Sequence, residues 1–290
     1  MKSSLSIAVI VAAAALGVAY WQSSRPGTNG NETQPAGETL VLPLRVHLVT
    51  GLDMVREAEN ADGSPSATLM KMTLSKKEAE AIISQVNDLW APARIYWETD
   101  PEQGGGGIIH EQAGGGNRSP EEIMTLAQRA VDRKRGSTFN YMAKVFPKLA
   151  DPAQNESMDA GGVLHPGRAR FYHLYLFPYV GQTLQGTANL PGTFAIVGTY
   201  SDKKPNQNGF PLPRPHLIPG DAEGRLLPDN FPAAGALSAT IAHELGHNLS
   251  LRHADEGMPD NLMKGRVKIR LGPRQISKAR QQALKGPRLR

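Results

Sequence analysis

Three histidines and a glutamate stand within eleven residues near the end of this chain, His243-Glu-Leu-Gly-His247-Asn-Leu-Ser-Leu-Arg-His253. On a helix, positions four apart share a face one turn from each other, so His243 and His247 can each direct a ring nitrogen at one metal ion. Glu244, next to the first of them, is placed to take a proton from water at that ion rather than to serve as a spare ligand. With 8 His and 15 Glu in 290 residues, H-E-x-x-H arises by chance in roughly one such chain in a hundred, and a third His six positions on is rarer still. The competing reading is three surface or core histidines on an ordinary amphipathic helix. Against it stands the small-residue run Ala236-Leu-Ser-Ala-Thr-Ile-Ala-His243, which suits a helix buried against a sheet. An imidazole without a partner costs free energy there, and a metal supplies the partner.

Closed structural zinc sites use four protein ligands, often Cys, whereas catalytic sites keep one position for water or substrate. This chain has no Cys, and three His leave the fourth position open. Zinc lowers the pKa of its water toward neutrality and polarises a carbonyl oxygen. With Glu244 as general base on that water and then proton donor to the departing amine, hydrolysis of a peptide bond is the expected reaction.

Enzymes that complete H-E-x-x-H with a distant Glu need that Glu downstream. Here the only Glu after Glu244 is Glu256, close in sequence, with Asp255 and Asp260 as the remaining acids. The segment instead resembles the metzincin family of zinc peptidases, whose pattern H-E-x-x-H-x-x-G-x-x-H is matched at His243, Glu244, His247 and His253. The resemblance implies a zinc ion on the three His, Glu244 as catalytic base, and a methionine turn under the metal. Pro259-Asp-Asn-Leu-Met263-Lys-Gly is similar to that turn, with Met263, ten residues after His253, as the floor residue in preference to Met258. The wording His-Glu-Leu-Gly-His-Asn-Leu is most similar to the reprolysin-like branch, with matrixin-like enzymes close behind. Where some members carry a Tyr ligand two positions after the Met, this chain has Gly265, so none is expected from that turn.

One position departs from the pattern. The family's Gly falls at Ser250. Gly is favoured there because the helix must stop and turn sharply, often through a left-handed residue, to return the third His to the metal. Ser in that conformation costs on the order of 1 kcal/mol. Either Ser250 bears that strain or the turn is displaced onto Asn248 or a neighbour.

The elements that must position these residues are legible upstream. Leu40 to Val49 alternates Leu42, Leu44, Val46 and Leu48 with other residues, as a half-buried strand does, which puts His47 on the opposite, surface side. Ser75-Lys-Lys-Glu78 is a capping box ahead of Ile82, Ile83, Val86 and Leu89, a helix that stops before Pro92. Arg94 to Glu98 reads as a strand. Gly clusters at 104–107 and 114–116 mark a mobile loop in which His110-Glu111 imitates the motif and fails at Gly114. Ser119-Pro-Glu-Glu122 starts another helix, and a short one is expected over Phe139 to Leu149. Phe171 to Phe177 is a strand by aromatic and aliphatic content, with His173 a packed or hydrogen-bonded sheet histidine rather than a ligand. Shorter strands are expected at Gly186 to Leu190 and Thr193 to Tyr200, then a Pro-rich loop over 201–235 that leads into the metal helix. A last helix is expected from Pro273 to Leu284.

This order is similar to the metzincin fold over residues 39–290. The family implies an α+β architecture: a mixed five-stranded sheet over the cleft, a long zinc-binding helix, a methionine turn and a small C-terminal subdomain. The upper subdomain would be 39–253 and the lower 254–290, with 119–149 an insertion. A polypeptide substrate would lie extended along the edge strand, for which Gly186 to Leu190 is the candidate.

About 250 residues after the N-terminal region suit one catalytic domain, expected to be a monomer. Lys2 and the apolar run Leu5 to Trp21 read as a signal peptide or an uncleaved anchor, and residues 22–38 as a polar linker. Either way the domain is exported, to the periplasm, the medium or the outer face of a membrane. Without Cys it must be stable without disulfides, which fits a bacterial envelope enzyme. Before Lys264 stand 22 basic and 27 acidic residues, a balance of −5, whereas Lys264 to Arg290 carries ten basic residues and no acid. That tail is either a solvated helix end or a dock for anionic envelope polymer, lipid headgroups or an acidic partner; export disfavours nucleic acid. Two other functions stay open on the sequence: a zinc amidase acting on envelope peptide crosslinks, and an envelope-binding domain with a structural zinc.

Overall fold

In a computed structural model, the described residues are 37–51, 54–59, 64–112, 170–180, 186–188, 190–201, 212–218, 236–253, 261–263 and 270–289. The expected helices at 119–149, the Gly cluster at 114–116, most of the 201–235 loop, Met258 and the acids 255, 256 and 260 lie outside them.

The strand expected from the apolar alternation is β1 (Leu40–Thr50). Two strands that sequence reading did not anticipate, β2 (Met54–Glu59) and β3 (Pro65–Met70), form an antiparallel hairpin after it. The Ser75 capping box starts α1 (Lys76–Trp90): Ser75 accepts from the Glu78 N–H while the Glu78 carboxylate accepts from the Ser75 N–H at 2.8 Å. Pro92 then stands in a single 3-10 turn, and Arg94 closes it in a left-handed conformation before β4 (Ile95–Glu98).

The next segment corrects a sequence expectation. Residues 107–112 are not loop but strand β5 (Gly107–Gln112), paired in parallel with Arg45–Thr50 of β1. β4 pairs in parallel with Leu40–Pro43, so β4 and β5 lie end to end along one side of β1. The glycines between them tie into the sheet: the Gly106 N–H donates to the Leu44 carbonyl and that of Gly107 to the Thr99 carbonyl. β6 (Tyr172–Phe177) takes the other side of β1, followed by β8 (Phe194–Gly198) in parallel and β7 (Gly186–Ala188) antiparallel at the edge. The sheet therefore has six strands in the order β4-β1-β6-β8-β7, with β5 also on β1, where five were expected. A small pair, β9 (Tyr200–Ser201) and β10 (Leu212–Pro213), follows β8. Two further helices complete the described fold, α2 (Leu237–Asn248) and α3 (Pro273–Ala283), so the architecture is mixed α and β.

Leu42, Leu44, Val46 and Leu48 of β1 share one core with Ile82, Val86 and Trp90 of α1 and Leu237, Ile241 and Leu245 of α2, all buried. Each such side chain contributes roughly 1.5–3 kcal/mol on leaving water. That burial is what holds α2 rigidly under the sheet. No described helix is long and apolar enough to cross a membrane, and residues 5–21 lie outside the described region.

His47 is the second correction. It was expected at the surface, but it is fully buried, because β1 is an interior strand covered on both faces. Its Nε2 lies 2.9 Å from Nδ1 of His173, its Nδ1 2.9 Å from a Glu111 carboxylate oxygen, and its ring stacks on Tyr175 at 4.0 Å. His173 is thus the packed sheet histidine expected. Burial, with Arg45 opposing a second positive charge, holds His47 down to about 3; burial pushes Glu111 up to about 7 against the pull of Arg45. Folded His47 thus binds a proton less readily than it does in the unfolded chain, and folded Glu111 holds one more readily.

The two groups act in opposite directions between pH 4.5 and 6.5. There the unfolded His47 binds a proton that the folded one refuses, so acidification destabilises; folded Glu111 keeps a proton that the unfolded one loses, so acidification stabilises. Glu111→Gln removes only the second slope. The variant is expected to lose about 2 kcal/mol of stability relative to the parent as the pH falls from 6.5 to 4.5. Urea unfolding of both proteins at three pH values in that window checks it; parallel curves would refute the assignment.

Candidate metal centre

Helix α2 begins without a side-chain cap. Its first N–H groups are taken instead by backbone carbonyls of the preceding segment, Leu237 donating to Pro215 and Ser238 to His216. The same segment supplies Arg214, a buried guanidinium that donates to the carbonyls of Gly198 at 2.8 Å and Ala236 at 3.4 Å and to the Thr240 hydroxyl. Gln85 of α1 accepts from both the Ile218 N–H (2.7 Å) and the Ser238 hydroxyl (2.6 Å), which fixes the helix start against α1.

The far end of α2 is a tight stop. The Leu251 N–H donates to the Gly246 carbonyl and the Ser250 N–H to the His247 carbonyl, with Ser250 at φ 67°. This pair of bonds around one left-handed residue is the Schellman ending, and Ser250 occupies the place usually given to Gly. Ser250 therefore bears the strain itself; the turn is not displaced onto Asn248. Ser250→Gly is expected to stabilise the protein by up to about 1 kcal/mol, read as a rise in the urea midpoint at unchanged slope.

That turn returns His253 to the helix face. The Nε2 atoms of His243 and His247 lie 3.0 and 3.1 Å from Nε2 of His253. The rings of His243 and His247 stand perpendicular, at 89°, with centroids 4.8 Å apart. His243 is buried, His247 half-buried and His253 exposed, so the group opens to solvent on one side. The outer nitrogens of two rings are committed: Nδ1–H of His243 donates to the Leu262 carbonyl and Nδ1–H of His247 to the Leu251 carbonyl, each at 2.7 Å. A carbonyl only accepts, so both neutral rings turn a lone pair inward at Nε2. A single Nε2–H on His253 can satisfy only one of these two lone pairs, whereas a cation between the rings serves both, and a tetrahedral zinc with bonds of about 2.0–2.1 Å would set its nitrogens about 3.3 Å apart. The residues fit a metal ion.

Met263 is fully buried beneath the helix. A Cβ on Gly246 would stand 2.6 Å from the Met263 sulfur, so only glycine lets the two segments approach this closely. The turn carrying Met263 is held by Asn261, whose side-chain oxygen accepts from the Met263 N–H at 2.7 Å and from the Gln275 amide at 2.8 Å; Asn261 and Gln275 are both buried.

Glu244 is buried, and its Oε2 has no hydrogen-bond partner among the described residues. Burial pushes its carboxyl up to about 8 against the pull of the Arg214 guanidinium, which burial itself lowers to about 9. Edge strand β7 lies directly against this carboxylate: a Cβ on Gly186 would come within 2.9 Å of Oε1.

All of His243, Glu244, His247, His253 and Met263 are thus gathered in one place. Sequence reading placed Gly186 in the candidate edge strand but missed its contact with Glu244, and it missed Arg214, Gly246 and the Asn261–Gln275 pair. Thr240, four residues before Glu244 on the same helix face, was the one accessible hint that a polar partner such as Arg214 meets that face. The sequence matches no protein-family model and shows no significant similarity to a curated protein.

Proposed function

We propose that this chain is an exported zinc endopeptidase of metzincin type. The observation that carries the reading is the approach of the His243 and His247 Nε2 atoms to that of His253, at 3.0 and 3.1 Å, in a group open to solvent beside a buried carboxylate with an unpartnered oxygen. When bound, zinc supplies Lewis acidity, acidifying water and polarising a carbonyl. His243, His247 and His253 hold the ion, two of them oriented by the Leu262 and Leu251 carbonyls. Glu244, whose ionised form a cation on the three histidines would favour against the cost of burial, takes a proton from the attacking water and delivers it to the amine nitrogen as the peptide bond breaks. The outer edge of β7 offers backbone groups to an extended peptide, and Gly186 brings that edge against Glu244. Residues 2–21 carry the domain across a membrane.

Metal analysis joined to a peptide-library digest tests the reading. One zinc per chain and cleavage at internal bonds, stopped by a chelator and restored by zinc, are expected. A zinc-loaded protein that cuts no peptide would leave a binding domain with a structural metal as the function.

A further inference from the structure

We propose that Gln275, the third residue of α3, is a positioning residue for the metal, setting the orientation of His243 through Asn261. The inference rests on the reading of the three histidines as ligands and not on the reaction that the centre performs.

The peptide unit between Leu262 and Met263 is engaged on both sides. Its carbonyl, that of Leu262, accepts from His243 Nδ1–H at 2.7 Å, and its N–H, that of Met263, donates to the Asn261 side-chain oxygen at 2.7 Å. A peptide unit is planar, so the two groups turn together. Whatever fixes the Asn261 oxygen therefore fixes the carbonyl that aims His243. The preceding peptide unit is held separately, by the Leu262 N–H on the Arg270 carbonyl at 2.7 Å.

The two ends of an asparagine amide are alike in shape, and hydrogen-bond partners decide which of them is the oxygen. Gln275 supplies a second donor to the Asn261 oxygen, from Nε2 at 2.8 Å. Gln275 is in turn oriented by a group that can only donate, the Gly272 N–H, which bonds to Gln275 Oε1 at 3.1 Å. With its oxygen committed to Gly272, Gln275 must present its amine end to Asn261. Both side chains are fully buried, so solvent does not compete for these bonds. A glutamine that merely capped α3 would need only its oxygen. Its other end extends the order of the helix start, one group at a time, to the ring that offers Nε2 to the ion. Without that donor the Asn261 oxygen is held by one N–H instead of two, the peptide unit gains freedom to rotate, and His243 loses part of its aim.

Gln275→Met, unbranched and of similar length, tests this beside Arg280→Met. Arg280 donates to the carbonyls of Glu38 at 2.8 Å and Ala93 at 2.9 Å, so its loss loosens α3 away from Asn261. Zinc affinity is read by competition with a chromophoric chelator, and ligand geometry from the visible absorption of the cobalt-loaded protein. Gln275→Met is expected to bind zinc roughly 10-fold more weakly than the parent, with altered cobalt bands. Arg280→Met is expected to unfold at lower urea concentration in chelator while keeping the parent's zinc affinity and cobalt bands. Parent affinity and bands in Gln275→Met, or equal losses of affinity in the two variants, would overturn the proposal. Should Gln275→Met fail to fold, amide hydrogen exchange in the parent decides. Zinc is then expected to slow the Met263 and Gly272 N–H groups several-fold relative to the Leu284 N–H, which bonds to the Arg280 carbonyl off this path; equal slowing of all three would overturn the proposal. A parent that binds zinc and cuts no peptide defeats the peptidase reading alone, whereas a parent that binds no zinc defeats both.

Discussion

Glu244→Gln is expected to lower peptide turnover by a factor of about 10²–10⁴ while zinc content stays at one ion per chain. The amide keeps the shape of the carboxylate and cannot accept a proton. Since Glu244 makes no hydrogen bond through Oε2 among the described residues, its neutral replacement strands no donor that this oxygen served. It also removes an acid whose ionisation is opposed by burial, so the variant should unfold at the same or higher urea concentration. Turnover and midpoint therefore move independently. A variant that loses stability and activity together would mean that Glu244 is a structural partner of Arg214 rather than a base.

The second large effect is expected from His253→Ala. His253 is exposed and follows the Schellman turn, so truncating it should leave the metal-free fold nearly unchanged. It removes one of three ligands, and metal affinity should fall by at least the 10–100-fold that loss of a mere supporting residue typically costs. A 100-fold loss withdraws about 2.7 kcal/mol of metal-linked stability, on the order of 5–10 °C in melting temperature for a domain of this size. The comparison is the difference in melting temperature with zinc and with chelator: large in the parent, small in the variant, with the two chelated proteins alike. An unchanged zinc-dependent difference would exclude His253 as a ligand.

How far the sequence alone reaches depends on whether a feature is set locally. The Ser75 capping box, the stop before Pro92 and the alternation in β1 are fixed by neighbours in the chain, and they form as expected. The ligand spacing is local too, because a helix turn and one sharp stop suffice to bring His243, His247 and His253 together. His47 fails for the opposite reason. A two-residue period tells which side of the strand it occupies, but whether that side meets water depends on what distant chain covers it. β5 was hidden because its strand character comes from pairing with β1 some sixty residues earlier, while it opens on Gly107, the last of a run of four glycines. Arg214 lies between two prolines in a segment without periodicity, and only the tertiary fold brings it to Thr240 and the carbonyls around α2. The carbonyls of Leu251 and Leu262 that orient His247 and His243 could not be read at all, since backbone groups carry no residue signature.

Asn248, the last residue of α2, donates from its side chain to the Phe194 carbonyl at the start of β8, and its own carbonyl accepts from the Gly192 N–H. β8 in turn pairs with β7 from Gly186 to Ala188. The ligand helix and the sheet margin are thereby bolted into one rigid gauge. For an extended polypeptide laid along that margin, the bond presented to Glu244 is fixed by counting residues from β7, so selectivity would be written as register, and swapping the surrounding loops would change which side chains are admitted without moving the point of cutting.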